Sequence, residues 1–498
     1  MRSMCRCLVI AVIAVIALYA SPSGWAAGAS WIAAGDLHIG RIYHTATRLL
    51  DGRVLVAGGR VNCCSSPLLS AEVFDPATNT WTDVASMPLA ILGASVLLHD
   101  GRVMIMGVVD NGRALAVVLY DPSTNAWATA PGPGMRVGST MTVLPSGKVL
   151  VAGGLVGGAV DALDTAVLFD PATSTWSETG RLNDKRAGAT ATLLRNGRVL
   201  VFAGEVPTSE IEFPELVTTA ELYDPATGRW TRTTSPNRVY AAPSAALLSD
   251  GRVLVLGDVG DTELYDPVTA RWAISGTRDG ERGGYAFAPL QTDQVLVAGG
   301  SDIRLAQRYL DGVELYNSTD GTWSHTASLL TPRFLHTATV LLDGRVMVTG
   351  GVGGNAGHEA TLRSTEVYQG SVAIGPAFTG GWFDPAQNGH GLFIEVLPGQ
   401  RLLAAWFTFD PMGNPAWFLG VGNYSGNTAT INEVDQPSGG RWIPDFDASR
   451  IVHHAWGTLT LTFSDCNHGV VAFSSIAGYG NGSMNLTRLT SPAGLGCP

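Results

Sequence analysis

The sequence carries little charge and few cysteines. Only 15% of its 498 residues are charged, the formal net charge is −11, and there are six cysteines. An acidic chain repels phosphate polymers at long range, so we expect no nucleic-acid partner. No cysteine and histidine spacing matches a zinc site. The hydrophobic fraction of 46% excludes a disordered or fibrous chain and is enough for a large core.

Long hydrophobic runs are also missing, apart from one at the start of the chain. Arg2 and Arg6 precede an apolar run at residues 8–18, and small residues follow up to Ala27. This order is typical of a secretory signal peptide, and the run is too short for a transmembrane helix. We therefore expect a signal peptide at residues 1–27, secretion or retention in the periplasm, and no membrane span.

Four cysteines remain after such a cleavage, in an oxidising compartment. We expect Cys466 and Cys497, both near the C-terminus, to form a disulfide. Cys63 and Cys64 are adjacent. They either form a strained vicinal disulfide or remain thiols.

A repeat of about 50 residues determines the architecture. Each copy places an apolar segment before Asp-Gly-Arg or a variant of it, and then Val-Leu-Val or a similar run. The turn positions of the seven copies are Gly52, Gly101, Gly147, Gly197, Gly251, Asp293 and Gly344. Within a copy, Asp51-Gly52 predicts a two-residue hairpin turn between two strands.

A tryptophan six residues after an Asp-Pro position predicts a fourth strand with an inter-blade core residue, as in Trp81 after Asp75. The seventh copy lacks this strand, and a separate segment of the same type, around Trp31, lies near the N-terminus. We predict that the N-terminal strand completes the last blade and closes the ring.

The copies resemble kelch repeats in their paired glycines, their Glu-x-Tyr/Phe-Asp-Pro segment and the spacing of the tryptophan after it. The sequence HTAT…DGRVLVAGG is similar to the central propeller of galactose oxidase. The resemblance implies an all-β, seven-bladed kelch-type β-propeller over residues 29–374. It also raises a copper-dependent carbohydrate oxidase as an alternative function. That chemistry needs two histidine and two tyrosine ligands with a cysteine cross-link, and the sequence shows no complete set, so we expect no cofactor and no metal.

Residues 376–498 differ in character, with strand-like segments separated by Gly, Asn and Pro. They predict a small antiparallel β domain, a barrel or a sandwich. The sequence of this region resembles an accessory domain of exported bacterial proteins. Trp382, Trp406 and Trp417 either stack on sugar rings or fill the core.

Arginines recur eleven residues before the turn positions, near the start of the first strand of each blade. They are Arg41, Arg136, Arg186, Arg282 and Arg333, with Arg238 displaced by two residues in the fifth blade. Such a ring suits a carboxylate or sulfate ligand. The alternative is structural pairing with glutamates that recur on the third strands at Glu72, Glu221, Glu263, Glu314 and Glu366.

His44 and His336 occupy the same position of the first and seventh copies, which ring closure makes neighbours. They contact a ligand, hold a metal as a pair, or pack and form hydrogen bonds within the repeat. Loops between second and third strands vary most in length and should surround the ligand site on the arginine side. The sequence therefore favours an exported binding protein over an enzyme, with a glycan or an extracellular protein as its ligand at the face that carries the arginines.

Overall fold

In a computed structural model, the described residues are 29–490 without 110–113, 157–160, 208–213, 241–242, 291–293, 303–308, 355–359, 371–373, 388, 440–446 and 464–466. The proposed signal peptide and both members of the proposed Cys466–Cys497 pair therefore lie outside the described residues. Among the residues that are described, no helix is long and apolar enough to cross a membrane.

The described chain is all-β, as predicted, and its larger part forms seven four-stranded antiparallel sheets, which we number 1 to 7. Strand β1 (Ser30–Ala33) belongs to the last of them. Sheet 1 contains β2 (Thr45–Arg48), β3 (Val54–Ala57), β4 (Ala71–Asp75) and β5 (Thr80–Val84). Sheet 2 contains β6 (Leu92–Leu97), β7 (Val103–Val109), β8 (Ala114–Asp121) and β9 (Ala126–Ala130). Sheet 3 contains β10 (Thr140–Val143), β11 (Val149–Ala152), β12 (Ala166–Asp170) and β13 (Thr175–Glu178).

Sheet 4 contains β14 (Thr190–Leu193), β15 (Val199–Phe202), β18 (Ala220–Asp224) and β19 (Arg229–Thr233), with β16 (Glu205–Val206) and β17 (Glu215–Leu216) as a short ribbon in its loop. Sheet 5 contains β20 (Ser244–Leu247), β21 (Val253–Leu256), β22 (Asp261–Asp266) and β23 (Arg271–Thr277). Sheet 6 contains β25 (Ala286–Pro289), β26 (Gln294–Ala298), β28 (Val313–Asn317) and β29 (Thr322–His325), and β24 (Arg282–Gly283) pairs with β27 (Ser301–Asp302) beside it.

Sheet 7 contains β31 (Thr337–Val340), β32 (Val346–Thr349), β35 (Thr365–Gln369) and the N-terminal β1. Strands β30 (Arg333–Phe334), β33 (Val352–Gly353) and β34 (Ala360–Thr361) form a small sheet next to it. Strand β1 runs antiparallel to β35 with Trp31 opposite Tyr368. The first strands of successive sheets contact one another, and the first strand of sheet 7 contacts that of sheet 1. This arrangement is consistent with a β-propeller.

The core of this part lies between the sheets. Each junction has its own apolar cluster, such as that of Leu55 and Val103 between sheets 1 and 2 and that of Val54 and Met347 between sheets 7 and 1. The fourth-strand tryptophans fix these junctions, because the Trp81 indole donates to the Gly35 carbonyl at 2.7 Å and the Trp31 indole to the Ala327 carbonyl at 2.9 Å.

The Asp-Gly turns differ from the prediction. The Leu49 N–H donates to the Arg53 carbonyl at 2.7 Å, which leaves three residues in the turn rather than two. Gly52 has a φ of 91°, whereas Asp51 is not in the left-handed region and accepts the Arg53 N–H at 3.1 Å. Because the carboxylate binds this N–H, Asp51 favours a turn that needs only one positive φ.

The C-terminal part is a closed antiparallel barrel of eight consecutive strands, one of the two predicted forms. Its strands are β36 (Gly380–Phe383), β37 (Gly391–Leu397), β38 (Arg401–Phe409), β39 (Pro415–Ser425), β40 (Thr428–Gly439), β41 (Ile451–Phe463), β42 (His468–Ser475) and β43 (Asn481–Arg488). Short 3₁₀ turns occur at Pro376–Phe378 and Ala448–Arg450. The barrel interior is filled with aromatic and aliphatic side chains, including Trp382 and Trp456.

Candidate functional site

Most of the predicted arginine ring is buried and bound to glutamate. Arg41 and Arg333 have no exposed surface, and Arg186 and Arg282 are nearly as enclosed. The guanidinium-to-carboxylate distances are 2.5 Å for Arg41–Glu72, 2.9 Å for Arg186–Glu221, 2.6 Å for Arg282–Glu314 and 2.5 Å for Arg333–Glu366. A fully enclosed side chain offers a ligand nothing to contact, so the geometry favours the structural pairing that the sequence left open.

In these four sheets, the arginine–glutamate pair anchors the loop that leads into the first strand. The Glu72 carboxylate also accepts the His38 N–H at 2.7 Å, and Arg41 donates to the Gly58 carbonyl at 2.9 Å. The loop before the first strand, the second strand and the third strand are thus joined around one guanidinium. Because each buried charge has both an opposite charge and hydrogen bonds, the cost of burial is offset.

Two positions depart from this pattern. Arg136 is 5% exposed and has no carboxylate partner among the described residues. It donates to the Thr165 carbonyl at 3.2 Å, and burial lowers its pKa. Arg238 is half exposed and pairs with Asp261 at 2.6 Å, outside the ring. In sheet 5 the position eleven residues before the turn glycine is occupied by Tyr240, whose hydroxyl donates to Glu263 at 2.9 Å.

Sequence reasoning missed Arg278. This side chain is 2% exposed, and it donates to the Gly257 carbonyl at 3.0 Å, as Arg41 does to Gly58 in sheet 1. It reaches that place from the end of a fourth strand rather than from the start of a first strand. The repeat spacing therefore contained no signal for it.

His44 and His336 are buried against glycines of the preceding sheet. A side chain at Gly350 would meet the His44 ring at 2.7 Å, and one at Gly299 would meet the His336 ring at 2.9 Å. His44 is also hydrogen-bonded to the Thr337 hydroxyl at 2.9 Å. Burial lowers the pKa of His44 to about 3 and holds the pKa of His336 well below its usual range, so both rings are neutral near pH 7. This placement favours the packing interpretation.

Two groups of histidine and carboxylates have metal-ligand geometry among the described residues: His38, Glu72 and Asp83, and Asp279, Glu314 and His325. They occupy equivalent places of sheets 1 and 6 with His and Asp exchanged. His38 binds Asp83 at 2.9 Å, which raises the pKa of the histidine. In both groups the buried glutamate already binds an arginine. The groups are therefore explained as hydrogen-bonded ion pairs.

The variable loops and the arginines share one end of the sheets, as predicted. The chain leaving the second strand pairs with the chain entering the first, through Ile42–Arg60, Val137–Leu155 and Ala187–Glu205. At this end a cavity of about 450 Å³ opens between sheets 1 and 2, lined by Tyr43, His44, Arg60, Leu92 and Gly93.

The cavity exists because sheet 2 departs from the repeat. Gly93 occupies the slot that His44 and His336 fill in other sheets, and it lies opposite Gly107 on the neighbouring strand. A side chain at Gly93 would come within 2.0 Å of the Met106 carbonyl oxygen. The close approach of the two strands therefore keeps this slot without a side chain.

Tyr43 forms the outer wall of the cavity and has a left-handed backbone. Its φ is 54° and the side chain is 47% exposed. The equivalent residues of sheets 3, 4, 6 and 7 are Gly138, Gly188, Gly284 and Leu335, which also have positive φ, so this backbone is a feature of the repeat. Of the two bulky residues with this backbone, Leu335 is half-buried, whereas Tyr43 is exposed.

The barrel tryptophans divide between core and surface. Trp382 and Trp406 are 1% and 5% exposed and point into the barrel, so they offer no face for a sugar. Trp417 is 44% exposed on the outer surface, opposite Phe407 of the neighbouring strand. Alternation along the strands explains the difference, since Trp406 and Phe407 point to opposite sides.

Comparison with known proteins identifies the repeat. Residues 41–88 match the Kelch motif. The chain is 48% identical over 56 residues to an F-box/kelch-repeat protein of Arabidopsis thaliana, which is 11% of this chain and 14% of that protein. It is 28% identical over 83 residues to alpha-scruin of Limulus polyphemus, covering 17% of this chain and 9% of the relative. For beta-scruin of the same organism the values are 29% over 77 residues, with 16% and 8% covered.

The chain thus spans only a small part of the length of these curated relatives, and the similarity concerns the repeat. Together with the repeated strand pattern, the Kelch motif and these matches support kelch-type repeats in this chain.

Proposed function

We propose that this chain is an exported recognition protein. In this proposal the seven sheets are the blades of one propeller closed by strand β1, and the barrel is an accessory domain. Kelch repeats suggest binding of another protein. We place the ligand, an extracellular protein or a glycan, at the end of the sheets where the loops between second and third strands emerge.

The cavity between sheets 1 and 2 is the observation that carries this proposal. Five of the six arginines of the predicted ring are enclosed and Arg238 is bound to Asp261, whereas this cavity offers an exposed aromatic ring. Exposed tyrosines contribute strongly to binding because they bury a large area at a small entropic cost. Because the left-handed backbone recurs in the repeat, the exposure of the Tyr43 ring is what supports a role in recognition.

The test compares two exposed apolar residues at opposite ends of sheet 1. The mature chain, its Tyr43→Ala variant and its Leu50→Ala variant are screened against a glycan array and a displayed peptide library. Leu50 is 66% exposed at the hairpin turn, away from the cavity, and serves as the matched control. We expect ligands whose affinity falls about tenfold or more with Tyr43→Ala and is unchanged with Leu50→Ala. Equal affinity of all three proteins would reject the proposed face.

Export has its own test. The N-terminal sequence of the protein recovered from the extracytoplasmic fraction should begin after Ala27. Recovery of the full-length chain in the cytoplasm alone would contradict this part of the proposal.

A further inference from the structure

Arg60 differs from the buried arginines in its charge balance. It follows the paired glycines of sheet 1 and lines the cavity, and one of its terminal nitrogens donates to the Cys63 carbonyl at 3.1 Å. Its Nε is buried without a hydrogen-bond partner, and within the described ranges no carboxylate pairs with it. Arg41, which lies nearby in the same sheet, is neutralised by Glu72. Because the Nε is enclosed, only the terminal nitrogens of Arg60 can donate to a ligand, and Arg60 is a cation in the cavity wall.

The other walls are mostly apolar. The cavity offers the Tyr43 ring, the half-buried Leu92 side chain and the bare backbone of Gly93. His44 contributes no charge near pH 7 because burial lowers its pKa to about 3. One positive charge thus faces the cavity. A single negative charge is balanced by it, whereas a phosphate dianion would leave one charge without a partner in the cavity.

We infer that this cavity binds a carboxylate of a polypeptide partner next to an apolar side chain, with Arg60 as the anchor and Tyr43 as the apolar wall. The inference rests on the proposed function and names the chemistry of its ligand. A guanidinium fork fits a carboxylate with two parallel hydrogen bonds. A sugar needs many hydrogen-bonding groups for its hydroxyls, and only Tyr43, His44 and Arg60 among the lining side chains have any. The walls therefore favour a peptide over a uronic acid.

The test uses random hexapeptides displayed in two forms, one with a free C-terminal carboxylate and one with an amidated C-terminus. Among the amidated peptides, we expect selection on the mature chain to enrich Asp or Glu beside an apolar residue. If the ligand is a chain end instead, selection should recover only peptides with a free C-terminal carboxylate. The selected peptide is then compared with its Gln or amide counterpart by fluorescence anisotropy. We expect a loss of affinity of about ten- to a hundredfold.

Matched variants assign this loss to one residue. Arg60→Gln should abolish the preference for acid over amide, and Arg60→Lys should keep part of it. Arg53→Gln removes the same charge at the opposite end of the same strands and should leave affinity unchanged. A thermal melt of each variant shows that the fold is intact, and Arg60→Lys keeps the test valid if Arg60→Gln does not fold.

The outcomes separate this inference from the proposed function. Peptides that lose affinity with Tyr43→Ala but bind Arg60→Gln as tightly as the unmodified chain would overturn the carboxylate assignment and leave the binding face in place. Selection of no peptide, or binding of glucuronate oligosaccharides instead, would also overturn it. Binding that ignores Tyr43→Ala as well would reject the face itself.

Discussion

At the scale of single residues, the repeated arginines are explained by what they hold together. Four of the enclosed guanidinium groups join an entering loop to the second and third strands of their sheet, and a glutamate neutralises each of them. In a repeat protein each sheet contacts only its two neighbours, so the same internal fastening can recur from copy to copy. The same residue pattern can therefore arise without any ligand.

We predict that Arg333→Ala lowers the free energy of unfolding by about 3–5 kcal/mol, because it leaves Glu366 buried without its counter-charge. Arg53→Ala removes an exposed partner of Asp51 and should cost less than about 1 kcal/mol. Urea unfolding of both variants measures the two values. Equal losses in the two variants would show that the buried pair has no special role.

The left-handed backbone of Tyr43 gives a second prediction. At an ordinary position Gly is less stable than Ala by about 0.5–1 kcal/mol. At position 43 the order should reverse, and Tyr43→Gly should be more stable than Tyr43→Ala by about 1 kcal/mol, because Ala keeps the cost of the positive φ. Thermal unfolding of the pair decides the order. Gly188→Ala, where a φ of 62° is combined with open space, should cost a similar amount.

Part of this site could be predicted from the sequence. The spacing of Arg41 and Glu72 within the repeat contained both members of a pair, and it left open whether they bind each other or a ligand. The cavity could not be predicted, because it depends on the close approach of Gly93 and Gly107 across two strands. Arg278 was missed for a related reason, since a residue from a fourth strand replaces one from a first strand. Spacing cannot show such a substitution in space.

At the scale of elements, the strands were easier to predict than their turns. Asp-Gly and the alternating apolar runs located the hairpins, and the separate segment around Trp31 indicated the pairing of β1 with β35, which the structure contains. The turn at Asp51 has one more residue than predicted, because side-chain hydrogen bonds compete with the backbone pattern of the shorter turn.

Strand β1 should be essential for the closed arrangement. Deletion of residues 30–34 removes the β1–β35 pairing and the Trp31 indole from the junction of sheets 6 and 7. We expect a lower melting temperature and aggregation through the exposed edge of β35. Light scattering after size-exclusion chromatography and a thermal melt measure both effects. An unchanged melt of a monomeric deletion variant would contradict closure by this strand.

At the scale of the whole molecule, an apolar cluster stabilises each junction between sheets. The junctions on either side of sheet 7 also contain neutral histidines. His44 lies between sheets 7 and 1, and His336 lies between sheets 6 and 7. These junctions flank sheet 7, in which the two ends of the repeat region meet. The stability of the closed arrangement is therefore coupled to the protonation of these two rings.

We predict that acid weakens the protein through His44 and His336. Their pKa values are lowered in the folded chain, to about 3 for His44, whereas an unfolded chain binds these protons near pH 6.5. The stabilisation is thus complete above about pH 6.5 and is lost as the pH falls, by about 1.4 kcal/mol per pH unit for each histidine. Urea unfolding between pH 7 and pH 5 should show this slope, and the window stays above the range where carboxylates titrate. The His44→Gln and His336→Gln variants should each lose about half of the slope, while His325→Gln, whose ring is exposed, should keep it. A slope that is the same in all four proteins would mean that the buried rings do not set the acid stability.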